Sequence, residues 1–497
     1  MHYIGIDIGT TGCKAVITNE KSQILCEDYI EYSLIIPSEK EVEQDAELWW
    51  ELCCRAVRHV VENSGVPCQT IQALSISSQG ISFVPIDREG KVLCHAISWL
   101  DTRAEMEAME ISRLLPPEEI FRITGKKSNA AYMLPKLLWL RSHRPDIWKR
   151  TYKVLMAHDF LVFRMTGNFI TDPTMASGTM LYDITKNEWA QTLLDIFEID
   201  IALLPKIVNA GEWAGTLTKD AAERMGLSAE MPVIVGGQDQ KVSAYFIQPD
   251  CNAATLSLGT AGAMEFFCTK PIFDQSMRLP CFPGILPRQW ILEAVVSTTG
   301  AALKWLKNTF FSDKGYPDLD KLCESSRPGA GGCLFYPHLE GATSPHWLSE
   351  SKGFLCGISL ETGAEDIVRS VMEGISFQLL ENILVFEELA SPLREIHAFG
   401  GGTKSRVWCQ ILADITGLRL FVYDTAEIAN LGAAKLAYAG CGHDAEAFCG
   451  DALAHAQVFE PEEDAHHSYM EWFKRYVEQE ALFLNSYKNN NRGTQVK

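Results

Sequence analysis

The chain has 497 residues, which predicts two or three domains with room for a large buried core. It carries 44 Lys and Arg against 64 Asp and Glu, a formal net charge of −20, and 47% of its residues are hydrophobic. This balance is typical of an acidic globular protein and argues against a disordered chain or a basic nucleic-acid-binding surface. Its 15 cysteines include no C-x-x-C pair, so we interpret them as reduced thiols and not as a zinc or disulfide framework.

The first residues, MHYIGIDIG, lack a basic segment and place Asp7 inside the apolar stretch, which is unlike a secretory signal. No run of about 18 apolar residues occurs, so no membrane span is predicted. We therefore expect a cytoplasmic protein with no nucleic-acid or membrane partner; the prediction allows a homodimer.

Strand and helix patterns alternate through the first half of the chain. Residues 3–8 predict a buried strand, GTTG a tight turn, residues 13–18 a return strand and residues 24–32 a third strand. Apolar residues at helical spacing from Trp49 to Val61, preceded by Asp45, predict an amphipathic helix, and residues 71–77 predict another strand. This order predicts a mixed α/β fold.

The second half repeats the alternation. The predicted elements are a strand at 290–296, a helix near 301–308, a long helix at about 366–389, a strand at 395–399, a helix to about 415, a strand at 420–423 and a helix from 430. Beyond Phe459 the chain is acidic and then aromatic and helical, and its last residues have almost nothing to bury.

A Gly-Thr turn between two strand-like runs occurs twice, at Gly9 to Gly12 and at Gly259 to Gly262, about half the chain length apart. Such turns are common, so chance similarity is one interpretation and internal duplication is the other. Carrying the second forward, we predict an N-terminal domain over 1–249, a C-terminal domain over 250–487 and a polar tail over 488–497.

The first of these turns suits a phosphate group. Backbone N–H groups of Gly9, Thr10, Thr11 and Gly12 can approach an anion closely, the threonines add hydroxyl donors, and Lys14 supplies a positive charge. Asp7 would repel phosphate by itself, so its position makes sense if it holds Mg²⁺. The alternative is an ordinary glycine-rich hairpin. Neither a Walker A loop nor a G-x-G-x-x-G follows a strand here.

Two further glycine-rich elements could bind the same nucleotide. Gly259 and Thr260 could hold a phosphate, and Gly400, Gly401 and Gly402, between a strand and a helix, let a flat group approach the backbone. For the last element, a turn that needs positive φ is the alternative interpretation.

Asp239 follows an apolar strand and the pair Gly236 and Gly237, at or near the start of a helix. A carboxylate held there could take a proton from an alcohol as a general base. Helix capping is the alternative role, because Asp is favoured at helix starts whatever the function.

Polar residues that could contact a polyol occur between these elements. They are Gln79, after the strand at 71–77, and the segment of Trp99, Asp101, Thr102 and Arg103, which could equally be a surface turn with a local ion pair. His466 and His467 lie beside acidic residues, which we interpret as a solvated helix face and not as a metal site.

This ordered set of motifs resembles the FGGY carbohydrate kinase family. The matching segments are YIGIDIGTTGCK, WLDTR, GGQDQ, LSLGTAG, STTGAALKW, FGGGTKSRVWCQILADITG and NLGAA, from residue 3 to about residue 440. The resemblance implies two actin-like, ribonuclease-H-like domains with ATP and a sugar bound in an interdomain cleft.

The resemblance also implies roles for single residues. Asp7 would be associated with Mg²⁺, Asp239 would be the catalytic base, and Thr10, Thr11 and Lys14 would lie near the transferred phosphoryl group. Contacts to the nucleotide are implied for Gly259, Thr260, Gly300, Gly401 and Gly402, with Lys304 and Arg406 nearby, and contacts to the sugar for Gln79, Gly80, Trp99, Asp101, Arg103 and Asp239.

Within the family the chain looks most like the xylulose kinases, but it departs from them in one sugar-contacting turn. Those enzymes usually carry Gln-Met-His-Gly where this chain has Gln79, Gly80, Ile81 and Ser82. We therefore predict an ATP-dependent kinase for a ketopentose such as xylulose, with another ketose, a deoxy sugar, a polyol or an aldonic acid as alternatives. Functions of another class are an actin-like ATPase and a non-catalytic sugar-binding regulator.

Overall fold

The computed structural model describes residues 1–247, 252–423, 427–448, 453 and 456–494, with side chains up to Tyr487. Packing divides the chain into two compact units. The first contains Met1–Gln248, Thr269–Ile291 and Glu427–Ala454, and the second contains Pro249–Cys268, Leu292–Ala426 and His455–Lys497. Among the described residues, no helix has both the length and the hydropathy that crossing a membrane requires.

Among the described residues, the first unit contains sixteen strands and twelve α-helices. The strands are β1 (His2–Ile8), β2 (Gly12–Asn19), β3 (Ile24–Glu31), β4 (Ile35–Ser38), β5 (Glu41–Gln44), β6 (Ile71–Ser78), β7 (Phe83–Ile86), β8 (Ala96–Ile97), β9 (Lys153–Met156), β10 (Ile170–Thr171), β11 (Tyr182–Asp183), β12 (Glu188–Trp189), β13 (Lys206–Ile207), β14 (Trp213–Thr216), β15 (Pro232–Gln238) and β18 (Cys281–Pro283). The helices are α1 (Ala46–Asn63), α2 (Glu105–Leu114), α3 (Pro117–Thr124), α4 (Met133–His143), α5 (Pro145–Arg150), α6 (Ala157–Thr166), α7 (Pro173–Ser177), α8 (Gln191–Phe197), α9 (Lys219–Met225), α10 (Asp239–Ile247), α15 (Ile428–Gly440) and α16 (Ala445–Phe448).

The main sheet of the first unit has the strand order β14-β15-β6-β1-β2-β3. Strands β1, β2 and β3 are antiparallel neighbours, whereas β6 is parallel to β1 and β15 is parallel to β6. Strands β1, β2, β6 and β15 are buried along nearly their whole length, as in a sheet covered by helices, whereas the edge strand β3 alternates half-buried and exposed residues. Helix α1 follows the predicted cap, Asp45, whose side chain accepts from the N–H groups of Glu47 and Leu48.

Helix α15 packs against β1, β6 and α10 of the same unit. A Cβ on Gly5 of β1 would clash with the backbone of Asn430, so the glycine permits this close approach. The Asn430 side chain donates to the carbonyls of Gly5 and Lys14, each at 3.2 Å. A distant part of the chain thereby supports the strand pair that carries Asp7.

The second unit contains the remaining elements. The strands are β16 (Ala253–Leu258), β17 (Gly262–Cys268), β19 (Trp290–Val296), β20 (Leu334–Tyr336), β21 (Phe354–Cys356), β22 (Glu395–Phe399), β23 (Arg419–Val422) and β24 (Gln457–Phe459), and the helices are α11 (Gly300–Phe310), α12 (Tyr316–Ser325), α13 (Ala364–Leu389), α14 (Arg406–Thr416) and α17 (Glu463–Thr494).

The sheet of the second unit includes the order β19-β17-β16-β22-β23-β24. Strands β16 and β17 form an antiparallel hairpin, β22 is parallel to β16, and β23 is parallel to β22. The central order of hairpin and parallel strands is that of the first unit, and it is the ribonuclease-H-like order. The predicted mixed α/β fold with two domains of this type is confirmed.

The boundary predicted between residues 249 and 250 remains a prediction, and residues 248–251 lie outside the described residues. Of the predicted polar tail, 488–497, the structure describes the backbone of α17 to Thr494 and not the last three residues.

Candidate active site

Asp7 and Lys14 are cross-strand partners at the end of the β1–β2 hairpin. The turn between them is closed by a hydrogen bond of 2.9 Å from the N–H of Gly9 to the carbonyl of Gly12. Ser77, opposite Asp7 on β6, donates its hydroxyl to Asp7 Oδ1 at 2.8 Å. The Asp7 carboxylate is therefore held at the end of β1 by the neighbouring strand β6.

Burial raises the pKa of Asp7 to about 6; the Ser77 hydrogen bond opposes this shift and the charge of Glu427 adds to it. Lys14 forms an ion pair with Glu427, which directly precedes α15. Neither motif analysis nor spacing pointed to Glu427, because it lies more than four hundred residues from Lys14 along the chain.

Thr10 and Trp99 are in contact. The indole Nε1 of Trp99 donates to Thr10 Oγ1 at 3.0 Å, and the side chain of Gln44 donates to the Thr10 carbonyl at 2.8 Å. Gln79, which is buried, donates to Gln44 Oε1 at 3.1 Å. Thr11 is exposed on the same turn. The predicted phosphate turn and two predicted sugar contacts are thus linked within one hydrogen-bond chain.

Asp101 and Arg103 form the ion pair that the sequence allowed, and this pair is largely buried beside a turn at whose start Trp99 is exposed. Asp101 is fully buried, accepts from the N–H of Val42 at 2.7 Å and pairs with Arg103, which also donates to Glu43 at 2.8 Å. Arg103 lies over the ring of Trp139. These contacts occupy both side chains and fix the segment after Trp99.

Lys136 on α4 contacts the residue just before Trp99, and sequence analysis did not identify it. It is fully buried and donates to the carbonyls of Ser98 and Ala131, each at 2.7 Å. Burial lowers its pKa to about 7, while the charge of Asp101 acts in the opposite direction.

The turn at which the chain departs from xylulose kinases has an unusual backbone. Ile81 has φ +52°, a conformation that β-branched residues rarely adopt. A Cβ on Gly80 would lie 3.2 Å from Cγ of Gln238, so this turn packs beside the strand that leads to Asp239.

Asp239 is the first residue of α10, as the sequence predicted. Its Oδ1 accepts from the side chain of Gln238 and, at 2.7 Å, from the N–H of Gln240. The side chain of Gln238 accepts from the N–H of Lys241 at 3.2 Å, which is the contact that an N-cap makes with the third helical residue. Gln238 therefore makes the N-cap contact, while Asp239 also accepts from an N–H group of the first helical turn.

A buried polar network supports the strand before Asp239. Thr174 Oγ1 accepts from the N–H of Gln238 at 2.9 Å and donates to Asp172 Oδ2 at 2.7 Å. The N–H of Gly236 donates to His158 Nε2 at 3.2 Å, and the other ring nitrogen of His158 is 3.1 Å from Asp159. A Cβ at Gly237 would lie 2.8 Å from Thr174 Oγ1 and 2.9 Å from Cδ1 of Ile285, and one at Gly236 would clash with the carbonyl oxygen of Ile76. The two glycines thus serve close packing, which sequence analysis could not specify.

The second unit holds a cavity of about 990 Å³. Its lining includes the predicted residues Gly259, Thr260, Gly300, Lys304, Gly401 and Gly402, together with Trp305, Tyr316 and Asp320, which sequence analysis missed. Volume and lining suit a ligand that has one flat face and one polar end.

The glycine-rich turns of this unit are packed together. The N–H groups of Gly300 and Ala301 donate to the carbonyls of Gly259 and Thr260 at 2.9 and 3.0 Å. Gly401 faces open space, since an added Cβ would meet no atom within 4 Å. Gly400, at φ +103°, confirms the need for positive φ in the strand-to-helix turn.

Arg406 is not among the described residues that line the cavity; it is exposed and lies over the ring of Phe459. Its predicted nucleotide contact remains a prediction.

The chain matches two family models, described as the FGGY family of carbohydrate kinases, N-terminal domain, over residues 2–245, and C-terminal domain, over residues 254–441. It is 31% identical to a xylulose kinase of Escherichia coli K12 over 88% of this chain and 89% of that protein. It is 26% identical to a gluconokinase of Bacillus subtilis 168 over 98% of this chain and 97% of that protein. The crystal structure of a ligand-bound xylulose kinase from Lactobacillus acidophilus superimposes with a TM-score of 0.92 at 25% identity, covering 98% of this chain and 99% of that one.

Proposed function

We propose that this chain, which belongs to the FGGY family of carbohydrate kinases, phosphorylates a primary hydroxyl of a ketopentose such as xylulose. It is an ATP-dependent sugar kinase, and a sugar and ATP are its substrates. The identity of the sugar and the role of each residue are the proposal.

The observation that carries the proposed mechanism is the setting of Asp239. The carboxylate begins α10, and the residue before it, Gln238, makes the N-cap contact to the N–H of Lys241. Hydrogen bonds from Gln238 and Gln240 to a single oxygen, Oδ1, fix the orientation of the carboxylate. In the proposed reaction Asp239 accepts the proton of the sugar hydroxyl as that oxygen attacks the γ-phosphorus of ATP, the bond from that phosphorus to the β,γ-bridging oxygen breaks, and ADP leaves.

The nucleotide is assigned to the cavity of the second unit. The N–H-rich turns at Gly259 and Gly401 suit its phosphates, and the exposed indole of Trp305 offers a flat apolar surface. Lys304 adds a positive charge to the lining. Positioning and charge neutralisation are what phosphoryl transfer mainly asks of a protein.

Asp7 is the proposed ligand for Mg²⁺, directly or through water. Its carboxylate is the hard oxygen donor that Mg²⁺ prefers, and Ser77 holds one of its oxygens, so the residues present fit the ion. When bound, Mg²⁺ would neutralise charge on the ATP phosphates.

Xylulose is favoured by the likeness to xylulose kinases, and an aldonic acid such as gluconate is the second candidate. The likeness to a gluconokinase covers nearly the whole chain, and the Gly80–Ile81 turn departs from the xylulose-kinase pattern. Other ketoses, deoxy sugars and polyols remain alternatives for the same turn.

A coupled assay of ADP release across pentuloses, hexuloses, pentitols, glycerol and gluconate, ranked by kcat/KM, tests the substrate. We expect a ketopentose to give the highest kcat/KM. A higher value for gluconate would replace xylulose by the second candidate, and ADP release that does not depend on any added sugar would contradict the proposed reaction.

A further inference from the structure

The second unit contains a compact group of potential metal ligands that the kinase reaction does not use. Nε2 of His346 lies 3.0 Å from Oε2 of Glu480 on α17 and 3.1 Å from the carboxylate of Glu381 on α13. One donor atom from each of the three residues lies within 4.8 Å of the others. The three side chains come from a loop and two helices that are distant in sequence.

The group is enclosed, but it can be reached. The side chain of Glu480 is 1% exposed, whereas those of His346 and Glu381 are 22% and 14% exposed, which leaves a path to solvent. The Glu480 carboxylate lies between two imidazoles, with Oε1 3.0 Å from Nε2 of His338 and Oε2 3.0 Å from Nε2 of His346. A buried carboxylate carries a desolvation cost, which a bound cation would offset further.

The spacing of the donors is that of ligands around one ion. Four ligands at about 2.0 Å from Zn²⁺ in a tetrahedron are separated from one another by about 3.3 Å, and six ligands in an octahedron by about 3 Å. The separations of 3.0 and 3.1 Å are hydrogen-bond distances between His346 Nε2 and the two carboxylates, and they also fall at this spacing. With a metal bound and His346 neutral, the three ligands would carry a charge of −2, which a divalent cation balances.

Neighbouring side chains orient two of the three donors. Nε2 of His338 lies 3.0 Å from Oε1 of Glu480, and Nε2 of Gln378 donates to Oε2 of Glu381 at 2.9 Å. Gln378 is in turn 3.0 Å from His338 through its Oε1. Outer partners of this kind fix the orientation of metal ligands in proteins.

We propose that His346, Glu381 and Glu480 bind one divalent transition-metal ion, with Zn²⁺ as the best fit to this set of one imidazole and two carboxylates. The ion fastens α17 to α13 within the second unit and leaves a fourth position for water. It is distinct from the Mg²⁺ proposed to accompany ATP, and it has a structural role.

The test uses the full chain without a histidine tag, stripped with a chelator and then titrated with Zn²⁺ alone, in the absence of ATP and sugar. Isothermal titration calorimetry gives the stoichiometry, and differential scanning calorimetry gives Tm. Co²⁺ in place of Zn²⁺ reports the ligands through its visible absorption. The variants are His346→Asn and Glu381→Gln, which replace the two partly exposed ligands, and His338→Asn, which replaces an orienting residue.

We expect one Zn²⁺ per chain, a rise in Tm on binding, and loss of both in His346→Asn and Glu381→Gln. His338→Asn is expected to bind about 10- to 100-fold more weakly. The control is His467→Asn, which replaces an exposed histidine on α17 and should leave binding unchanged.

Binding that is equally tight in wild type and His346→Asn, or a stripped wild type whose Tm does not respond to saturating Zn²⁺, would overturn the proposal. In either case the group would be a hydrogen-bonded ion cluster without a metal. Because no substrate is present, this result is independent of the kinase assay.

Discussion

Asp7 is buried, which disfavours its ionised form, yet it lies at a strand end where the ionised form is proposed to bind Mg²⁺. Burial raises its pKa to about 6, so the folded protein holds the proton more tightly than the unfolded chain does. The ionised form, which is the form proposed to bind Mg²⁺, therefore costs folding free energy above pH 6, and this cost disappears as the pH falls towards 4.

Asp7→Asn is accordingly expected to be more stable than wild type at pH 8, by roughly 1 to 3 kcal/mol, with the difference vanishing near pH 4. Its kcat should fall about 100-fold or more. In the wild type, kcat/KM should decline as the pH drops through about 6. Denaturant unfolding at both pH values and a pH-rate profile check these outcomes; a variant that is less stable at pH 8 would contradict the assignment of burial as the dominant effect.

Thr174 links a buried carboxylate to the strand before the proposed base. Thr174→Val removes both the donor to Asp172 and the acceptor for the N–H of Gln238, which should cost about 1 to 3 kcal/mol of stability. We expect kcat to fall about tenfold or more because Asp239 is displaced, while KM for ATP is unchanged.

A matched control for this variant is Thr416→Val on α14. Its buried hydroxyl donates to the carbonyl of Leu412 at 2.7 Å, far from Asp239 in sequence and in the other unit. Steady-state kinetics of both variants should show a loss of kcat for Thr174→Val alone. An equal loss in both would mean that the effect is one of general stability.

The turn after β16 packs against the start of α11, and this packing gives two glycines of the second unit different surroundings. Gly300 is tightly packed, whereas Gly401 faces open space. An alanine Cβ at Gly300 would lie 2.5 Å from the carbonyl oxygen of Gly259, whereas one at Gly401 would meet nothing within 4 Å. Both glycines line the same cavity.

Gly300→Ala should therefore destabilise the protein by about 1 to 3 kcal/mol through overpacking. Gly401→Ala should change stability by less than about 0.5 kcal/mol and raise KM for ATP about tenfold, because the methyl group occupies space in the cavity. Thermal unfolding and ATP titrations of the two variants check this; an unchanged KM in Gly401→Ala would place the nucleotide away from this glycine.

Structural features that depend on neighbouring residues could be predicted from the sequence, and those that depend on distant segments could not. Local patterns predicted the Gly-Thr hairpins, the cap at Asp45 and the start of α10 at Asp239, because each depends on residues close together in the chain. Glu427 beside Lys14, Thr174 below Gln238 and the His346 group were missed, because each depends on pairing between distant segments that no local pattern records.

The burial of Asp101 could not be predicted from the sequence either. The sequence allowed either a sugar contact or a surface turn with an ion pair, and the structure has the ion pair with its carboxylate, Asp101, fully buried. Burial is decided by strand β5 and helix α4, whose Val42 and Trp139 meet the pair. Neither residue could be assigned to it from spacing.

The two Gly-Thr hairpins, β1–β2 and β16–β17, belong to two units of the molecule that share the same central strand order. The order of segments is less simple than the repeat suggested, since residues 269–291 and 427–454 pack with the first unit. Returning segments of this kind leave no compositional signal at their ends.

The net charge of −20 has a consequence for a substrate as anionic as ATP. The overall field opposes binding, and local groups such as Lys304 in the cavity lining must overcome it. We expect kcat/KM for ATP to rise roughly twofold as ionic strength increases from about 0.01 to 0.15 M, because salt screens the distant charges more than the local ones. Initial rates at constant free Mg²⁺ check this, and a steep fall with salt would contradict it.

The proposed role of Asp239 as the general base is tested by the kcat for sugar-dependent ADP release of Asp239→Asn. A suitable control is Asp220→Asn, an exposed aspartate in the first turn of α9. We expect Asp239→Asn to lose about 100- to 10,000-fold in kcat while ATP binding and Tm stay close to those of wild type and the control keeps full activity. Wild-type turnover in folded Asp239→Asn would contradict it.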